Sequence, residues 1–295
     1  MRDLNFGLKH VCRANRDGSY RTQADRERTL AQIADQLHVL GYRNLRVHGL
    51  KQKHVQALVR VWRYGDEGRG WRPVSAGTTK NRMAALRWWA GKIGKPTVIA
   101  NSNGHYGIGR RQFVTNESKA LKVGKEALER IGDPHVRLTL ELQGEFGLRR
   151  EEAIKFIPSY ADRGDTLVLK PSWTKGSKER AIPVHTDAQR DVLLRAHQLA
   201  GRGSLIPSHR SYVQQKHVYE KQTARAGLSH LHGLRHQYAQ SRYHELTGWK
   251  APAAGGPKGN ELSADQKRLD REARLTISRE LGHEREQITA VYLGR

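Results

Sequence analysis

Helical periodicity breaks between Pro96 and Phe113, and this break most constrains how the chain can fold. Upstream of it, apolar residues recur every three to four positions, as on one face of an α-helix. The break is rich in glycine and contains the basic pair Arg110-Arg111. A chain of 295 residues is long enough for two hydrophobic cores. We therefore predict two domains, joined by a linker over residues 96–115.

The upstream region, residues 23–95, is predicted to be an all-α helical bundle. One helix stops near Gly41, and another begins at Ser75, a residue type that caps helix N-termini. Residues 1–22 are polar and basic without a clear period, and we interpret them as a basic arm. The basic residues predicted to contact nucleic acid in this half of the chain are Lys80, Arg82, Arg87, Arg110 and Arg111.

The charge balance indicates a polyanionic partner. Lys and Arg together number 53 against 29 Asp and Glu, a formal net charge of +24. Such an excess is costly in self-repulsion unless a polyanion relieves it, and nucleic acid is the commonest such partner. A ribosome-associated protein, or a basic protein without such a partner, is the alternative. A hydrophobic content of 37% still allows real cores.

The single cysteine, Cys12, excludes an internal disulfide framework and a zinc site built on several thiolates. No apolar run approaches the roughly 20 residues that span a bilayer. The first residues also lack the apolar centre of a signal peptide. The sequence therefore predicts a soluble, cytosolic protein with no membrane partner.

The downstream region, residues 116–295, is predicted to be mainly α with a small β-sheet. Asp133-Pro134 has the residue types of a helix start. Short β-like runs at 166–169 and 180–184 flank a polar turn that contains Lys175. Further helical patterns cover 187–200, 211–226, 232–246 and 270–281, and another starts near Glu286.

An ordered set of motifs runs through this region. In chain order they are Gly147-Leu-Arg149-Arg-Glu-Glu152, Lys175, His232-x-x-Arg235, Leu281-Gly-His283 and Tyr292. His-x-x-Arg alone carries little information, since His10 and Arg13 also have it. The ordered set, in contrast, resembles the tyrosine recombinases, the phage integrase family that includes the Xer-type recombinases and Cre. The resemblance covers residues 116–295 by motif, and residues 23–95 only by length, position and helix content.

The resemblance implies a role for each motif residue. Arg149 and Arg235 would clamp the non-bridging oxygens of a DNA phosphate with forked, permanently charged donors. His232 and His283 would add hydrogen bonds, and one of them would accept the tyrosine proton. Lys175 would protonate the leaving 5′ oxygen. Tyr292 would attack the phosphorus and form a 3′-phosphotyrosyl link.

The link conserves the phosphodiester energy, so no ATP is needed. Arg149 and Arg235 stand where other nucleases use metals, so no metal or other cofactor is expected.

At two positions a neighbouring residue of the same type is an alternative. Arg150 is adjacent to Arg149, but Glu152 at the right spacing to orient it favours Arg149. Lys170 and Lys178 lie near Lys175 and are chemically equivalent to it.

The resemblance also implies an architecture and partners. Residues 23–95 would be a core-binding domain and 116–295 the catalytic domain. Residues 1–95 and 116–295 would together form a C-shaped clamp around double-stranded DNA. The active assembly would be a tetramer of identical subunits on synapsed DNA, with a possible accessory DNA-bending or excision protein. The setting would be the nucleoid of a prokaryotic cell, and the function integration of a mobile genetic element.

Other readings remain open from the sequence. The protein could be a type IB-like topoisomerase that acts as a monomer, or a DNA-binding regulator without activity. His230, His232 and His236 also admit a metal site, although no carboxylate or thiolate lies in the same segment to complete it.

Two departures from the family pattern stand out. The Gly/Pro-rich stretch 247–265 lengthens the interval between His232 and His283, and we predict a surface insertion there. Many family members also continue into a C-terminal helix that docks on a neighbouring subunit. The sequence reaches only Arg295 after Tyr292, so the surface used for assembly is left open.

Overall fold

A computed structural model describes residues 2–174, 176–283 and 286–295. The chain divides into two compact units, Met1–Gln112 and Phe113–Arg295. None of the helices in the described ranges is long and apolar enough to cross a membrane.

The first unit is a helical bundle. Its α-helices are α1 (Asp3–Ala14), α2 (Tyr20–Val39), α3 (Gln52–Tyr64) and α4 (Ala76–Lys92). The predicted N-cap at Ser75 is present, because its side chain accepts a hydrogen bond from the Thr78 backbone N–H. Trp62 and Trp89 fill the core, and the indole N–H of Trp89 donates to the Val47 carbonyl at 3.0 Å. The indole N–H of Trp62 donates to Oε1 of Gln36 at 2.9 Å, so both buried indoles have a hydrogen-bond partner.

The basic-arm interpretation is wrong for residues 3–14, which form α1 and pack against α2. Leu4 and Leu8, one helical turn apart, are buried in the bundle core. Gly7 hides the helical pattern in the sequence because glycine is a poor helix former. In the fold its missing side chain permits close approach, since a Cβ there would lie 2.9 Å from Cβ of Val47.

The predicted linker also begins too early. Ile99, Tyr106 and Ile108 lie buried in the core of the first unit. Arg87 on α4 holds this segment by donating from Nε and Nη2 to the Ala100 carbonyl at 3.1 and 2.9 Å. The segment has no α-helical period because it packs on the bundle as loops with two short 3₁₀ helices, Pro96–Val98 and Gly104–Tyr106. Its apolar residues belong to the first core.

The second unit is mainly helical with a small sheet, which confirms the predicted fold class. Its helices are α5 (Lys125–Glu129), α6 (Pro134–Phe146), α7 (Arg150–Ile154), α8 (Pro158–Ala161), α9 (Asp187–Ala200), α10 (Tyr212–Arg225), α11 (Gly233–Thr247), α12 (Ala264–Glu280) and α13 (Glu286–Leu293). Strands β1 (Thr166–Leu169) and β2 (Arg180–Pro183) pair antiparallel. The Asp133 carboxylate caps α6 by accepting from two backbone N–H groups, as its sequence predicts.

Part of the stretch 247–265 is not a surface insertion. Ala251, Pro252 and Ala253 are buried, and their turn contacts α13. The small side chains allow this contact, since a Cβ added to Gly294 would lie only 2.7 Å from the Ala253 backbone nitrogen. Gly/Pro composition predicts an irregular backbone, but it does not reveal whether that backbone is covered.

Candidate active site

Arg235 lies at the centre of the candidate site, in the first turn of α11, with only 1% of its surface exposed. Its two terminal nitrogens donate to the backbone carbonyls of Gly147 and Leu281. Nε donates to the Tyr292 hydroxyl at 3.3 Å, and Nη2 lies 3.4 Å from Nε2 of His283. One buried guanidinium therefore joins three motifs that are far apart in the sequence.

The hydrogen bonds explain how this charge can be buried. A charge out of water is costly unless its donors are partnered. Burial, followed by the nearby charge of Arg149, lowers the pKa of Arg235 to about 10. The group therefore keeps its positive charge at neutral pH.

Tyr292 on α13 is packed among histidines and is 6% exposed. Its hydroxyl lies 3.3 Å from Nε2 of His232, the residue that directly precedes α11. The ring of His283 stacks on the tyrosine ring with centroids 5.5 Å apart, and the ring of His236 lies at 4.6 Å. The hydroxyl is thus held between a guanidinium and an imidazole.

Arg149 sits at the N-terminus of α7, where Glu152 orients it. Its Nη1 lies 2.7 Å from Oε1 of Glu152, and its backbone N–H donates to Oε2 at 2.7 Å. A quarter of the Arg149 side chain remains exposed. The neighbouring Arg150 pairs instead with Glu220 on the surface at 2.9 Å, so the geometry favours Arg149 as the site residue.

Arg180 is a second arginine that binds the Glu152 carboxylate. The sequence analysis did not include it in the site. Its Nη2 lies 2.7 Å from Oε2 of Glu152, and its Nη1 donates to the Leu281 carbonyl at 2.8 Å. Burial opposes ionisation of Glu152, but the charges of Arg180, Arg149 and Arg235 outweigh it and lower its pKa. A signal was present in the sequence: Arg180 is in phase with the buried Ile182 on β2.

The Leu281-Gly282-His283 motif is shaped by these arginines. The Leu281 carbonyl accepts from both Arg180 and Arg235. Gly282 has φ +63°, and a Cβ there would lie 2.9 Å from Cδ of Arg180, so both conformation and space require glycine. Burial, then the charges of Arg235, Arg149 and Arg180, lower the pKa of His283 to about 3.

His232 is exposed. Partial desolvation of its ring, and then the positive charges of Arg235 and Arg149, nevertheless lower its pKa as well. Both imidazoles are therefore neutral at neutral pH. Each can accept a proton without first losing one. Since Nε2 of His232 faces the Tyr292 hydroxyl, that ring is the nearer acceptor.

An open cleft of about 1020 Å³ borders these groups. Its lining includes Arg149, Thr174, Gly176, Lys178, Arg180, His283 and Tyr292. The predicted Lys175 lies outside the described residues. Of the two lysines that compete with it, Lys178 lines the cleft, whereas Nζ of Lys170 lies over the Tyr160 ring at 4.5 Å.

The basic residues predicted in the first unit differ in their surroundings. Arg110 and Arg111 are exposed, and Lys80 is partly exposed. The Arg82 guanidinium lies 5.3 Å from the centre of the Trp62 ring, and burial lowers its pKa. Arg87 holds the 100–103 segment, also donating to Oδ1 of Asn103 at 2.9 Å. Nucleic-acid contact by these residues stays a prediction. The guanidinium of Arg87 is already bonded within the first unit.

The geometry does not support the hypothesis that His230, His232 and His236 form a metal site. Within the ranges that the structure describes, no group of three or more His, Cys, Asp or Glu side chains is arranged to hold a metal ion. The rings of His232 and His236 meet edge to face, with centroids 5.6 Å apart.

Two family models match the chain. One, described as "Integrase", matches residues 110–241, and one described as "Phage integrase, N-terminal" matches residues 1–96. Together they cover most of the chain. The chain belongs to the phage integrase family, the tyrosine-type site-specific recombinases. A search of curated proteins found no match.

Solved structures of integrases and recombinases share the fold. A lambda integrase tetramer bound to a Holliday junction is 16% identical with a TM-score of 0.61, and the match covers 98% of this chain and 77% of that one. XerH recombinase bound to palindromic difH is 17% identical with a TM-score of 0.58, covering 99% and 81%. The Tn1549 transposon integrase in complex with circular intermediate DNA is 11% identical with a TM-score of 0.51, covering 100% and 96%.

Proposed function

We propose that this recombinase cleaves and rejoins double-stranded DNA through a 3′-phosphotyrosyl intermediate on Tyr292. The observation that carries the proposal is the position of the Tyr292 hydroxyl, 3.3 Å from Nε of Arg235 and 3.3 Å from Nε2 of His232. A nucleophile, a permanent positive charge and a proton acceptor thus meet at one point. A packing tyrosine would have no need of this arrangement.

The arginines are suited to stabilise the transition state. Attack on a phosphodiester places extra negative charge on its non-bridging oxygens, and fixed donors in a water-poor site stabilise that charge. Arg235 is held rigidly by backbone carbonyls, and Arg149 reaches the cleft with part of its side chain exposed. We assign the two residues to opposite sides of the same phosphate.

The proton balance of cleavage follows from the neutral histidines. The Tyr292 oxygen forms a bond to phosphorus while its proton passes to His232, with His283 stacked against the ring. The bond from phosphorus to the 5′ oxygen breaks, and that oxygen takes a proton from Lys175, a role that the family resemblance suggests. Reversal, with a 5′ hydroxyl of another strand as the nucleophile, rejoins the DNA and frees the tyrosine.

We further propose that a tetramer carries out strand exchange for a mobile genetic element, with the first unit as the core-binding domain. Supporting this are the related lambda integrase, solved as a tetramer on a Holliday junction, and the Tn1549 transposon integrase, solved with circular intermediate DNA. The net charge of +24 suits a DNA partner. The reaction would take place on nucleoid DNA, and an accessory DNA-bending or excision protein could take part in it.

The other readings are not favoured. Both family models that match are those of integrases rather than topoisomerases. A regulator that only binds DNA has no use for a tyrosine held between an arginine and a histidine. Three of the candidate residues, Arg235, His232 and His283, contact that tyrosine.

The decisive experiment traps the covalent complex on a nicked suicide substrate. Wild-type protein is expected to form a DNA adduct that resists SDS, and sequencing the attached strand identifies the cleavage site. Tyr292→Phe should abolish the adduct while DNA binding persists. Tyr64→Phe, at an exposed tyrosine of the first unit, is the matched control. An adduct in the Tyr292→Phe protein would refute the assignment of the nucleophile.

A further inference from the structure

We propose that Gln240, oriented by Ser118, is a positioning residue that holds the nucleophile Tyr292 in the site of its own subunit. This inference rests on the proposed function, because it concerns how the proposed nucleophile is placed. Neither residue belongs to the motifs that predicted the site. The assignment comes from contacts to the backbone of Tyr292 rather than to its hydroxyl.

The helix that carries Tyr292 cannot fix its own position. It spans only Glu286–Leu293 and ends at Gly294 with φ +79°. So short a helix is marginal by itself, and the last four carbonyls of any helix lack a partner within it. The placement of the tyrosine therefore depends on groups outside α13.

Gln240 supplies the first such group. Its amide Nε2 donates to the Tyr292 carbonyl at 3.0 Å, and the side chain is 8% exposed. The Ser118 hydroxyl donates to Oε1 of Gln240 at 2.9 Å and accepts from the Ala120 backbone N–H at 3.2 Å. This pattern points the amide nitrogen at the carbonyl, because only that orientation gives each atom a partner.

Besides Arg235, three residues of α11 and its start contact the same tyrosine. His232, His236 and Gln240 are spaced four apart and therefore lie along one side of the helix start and helix. They meet, in turn, the hydroxyl at 3.3 Å, the ring at 4.6 Å between centroids, and the carbonyl at 3.0 Å. The whole length of the residue is thus aligned against one rigid element.

Residues beyond the tyrosine are held independently. Arg274 donates from Nη1 to the Gly294 carbonyl at 2.9 Å. The Asn116 side chain accepts from the Arg295 backbone N–H at 2.8 Å and donates to its carbonyl at 3.1 Å. Loss of Gln240 should therefore leave the end of α13 attached while allowing Tyr292 itself to shift.

The matched variants follow from these contacts. Gln240→Met keeps the length of the side chain and removes the donor. Gln237→Met makes the same change on the same helix, where the side chain donates to the Ser241 hydroxyl rather than to Tyr292. A nucleophile misplaced by about 1 Å can slow a reaction by about 100-fold. We expect Gln240→Met to slow adduct formation by about 10- to 100-fold with unchanged DNA affinity, and Gln237→Met to match wild type.

A second pair tests the orienting hydroxyl. Ser118→Ala removes the donor to Gln240, and Ser118→Thr retains it. Adduct formation is expected to slow in the alanine variant and to recover in the threonine variant. Equal rates in the two variants would overturn the role of Ser118.

An external nucleophile separates positioning from general damage to the site. In the Tyr292→Phe background, an oxygen of hydrogen peroxide bonds to phosphorus while its proton passes to His232. The bond from phosphorus to the 5′ oxygen breaks, and that oxygen takes a proton from Lys175. Cleavage therefore reports the other site groups without the tyrosine. Adding Gln240→Met should leave this peroxide-dependent rate unchanged. A fall in both rates, or a wild-type rate of adduct formation in Gln240→Met, overturns the proposal. Absence of any adduct with wild-type protein would instead refute the proposed function, and the positioning role with it.

Discussion

The two sides of the candidate active site are built differently. On the downstream side, Arg235 is buried and held by backbone carbonyls, with Tyr292 packed against α11. On the upstream side, Arg149 is partly exposed and its orientation depends on one carboxylate, Glu152, which Arg180 also shares. The downstream side is held by packing and by hydrogen bonds to backbone carbonyls. The upstream side is held by ion pairs between arginines and one carboxylate. Each side should therefore respond to a different kind of substitution.

The largest effect is expected from Arg235→Lys. Lysine keeps the charge but lacks the planar fork, so the contacts to Gly147 and Leu281 cannot all be kept. We expect adduct formation to fall by about 10³-fold, the scale for loss of a central charge-stabilising donor. Single-turnover cleavage measures the effect. Arg242→Lys, at a partly exposed arginine of the same helix paired with Glu280, is the control; an equal fall in both would contradict a special role for Arg235.

Glu152→Gln tests the charge network of the upstream side. The change keeps the shape and removes the charge that balances Arg149 and Arg180, so two guanidiniums lose their counter-ion. Breaking a buried ion pair typically costs about 3–5 kcal/mol, and we expect that loss in the free energy of unfolding by chemical denaturation. Glu151→Gln, next to it on the surface and paired with Lys155, should cost less than about 1 kcal/mol. Similar losses in the two variants would show that the network contributes little.

The smallest effect is expected in the pH dependence of folding stability, through His236 on the downstream side. Burial, then the nearby His232, Lys119 and Arg235, lower the pKa of His236 to about 4. Its unfolded pKa is about 6.5, so between these values the unfolded chain binds the proton and the folded chain does not. Stability is therefore complete above about pH 6.5 and falls as the pH drops toward 4.

His236→Asn should reduce this acid-induced loss by roughly 1–3 kcal/mol, measured by denaturation at pH 7 and pH 4. Part of the loss should persist, because burial also lowers the pKa of His283. His10→Asn, at an exposed histidine outside the site, is the control. An unchanged profile in His236→Asn would mean that its ring is not held neutral by the fold.

Much of the fold could be predicted from local patterns. Asp133-Pro134 predicted the start of α6, and the apolar period with a serine cap predicted α4, because capping and periodicity are local properties. The errors at α1 and at residues 96–108 have different causes. Leu4 and Leu8 give α1 a helical spacing, which Gly7 obscures. The apolar residues of 96–108 have no such spacing and are buried against residues from elsewhere in the first unit, which no local pattern reveals.

The sequence by itself determined which residue types could carry the chemistry, because the order and spacing of Arg149, His232, Arg235, His283 and Tyr292 are written in it. Only the tertiary structure decided how they are held. The ion pair between Arg180 and Glu152 joins residues 28 positions apart, and the contact from Gln240 to Tyr292 joins residues 52 positions apart. Partners so distant are chosen by packing, since a side chain bonds whatever polar group the fold brings within about 3 Å.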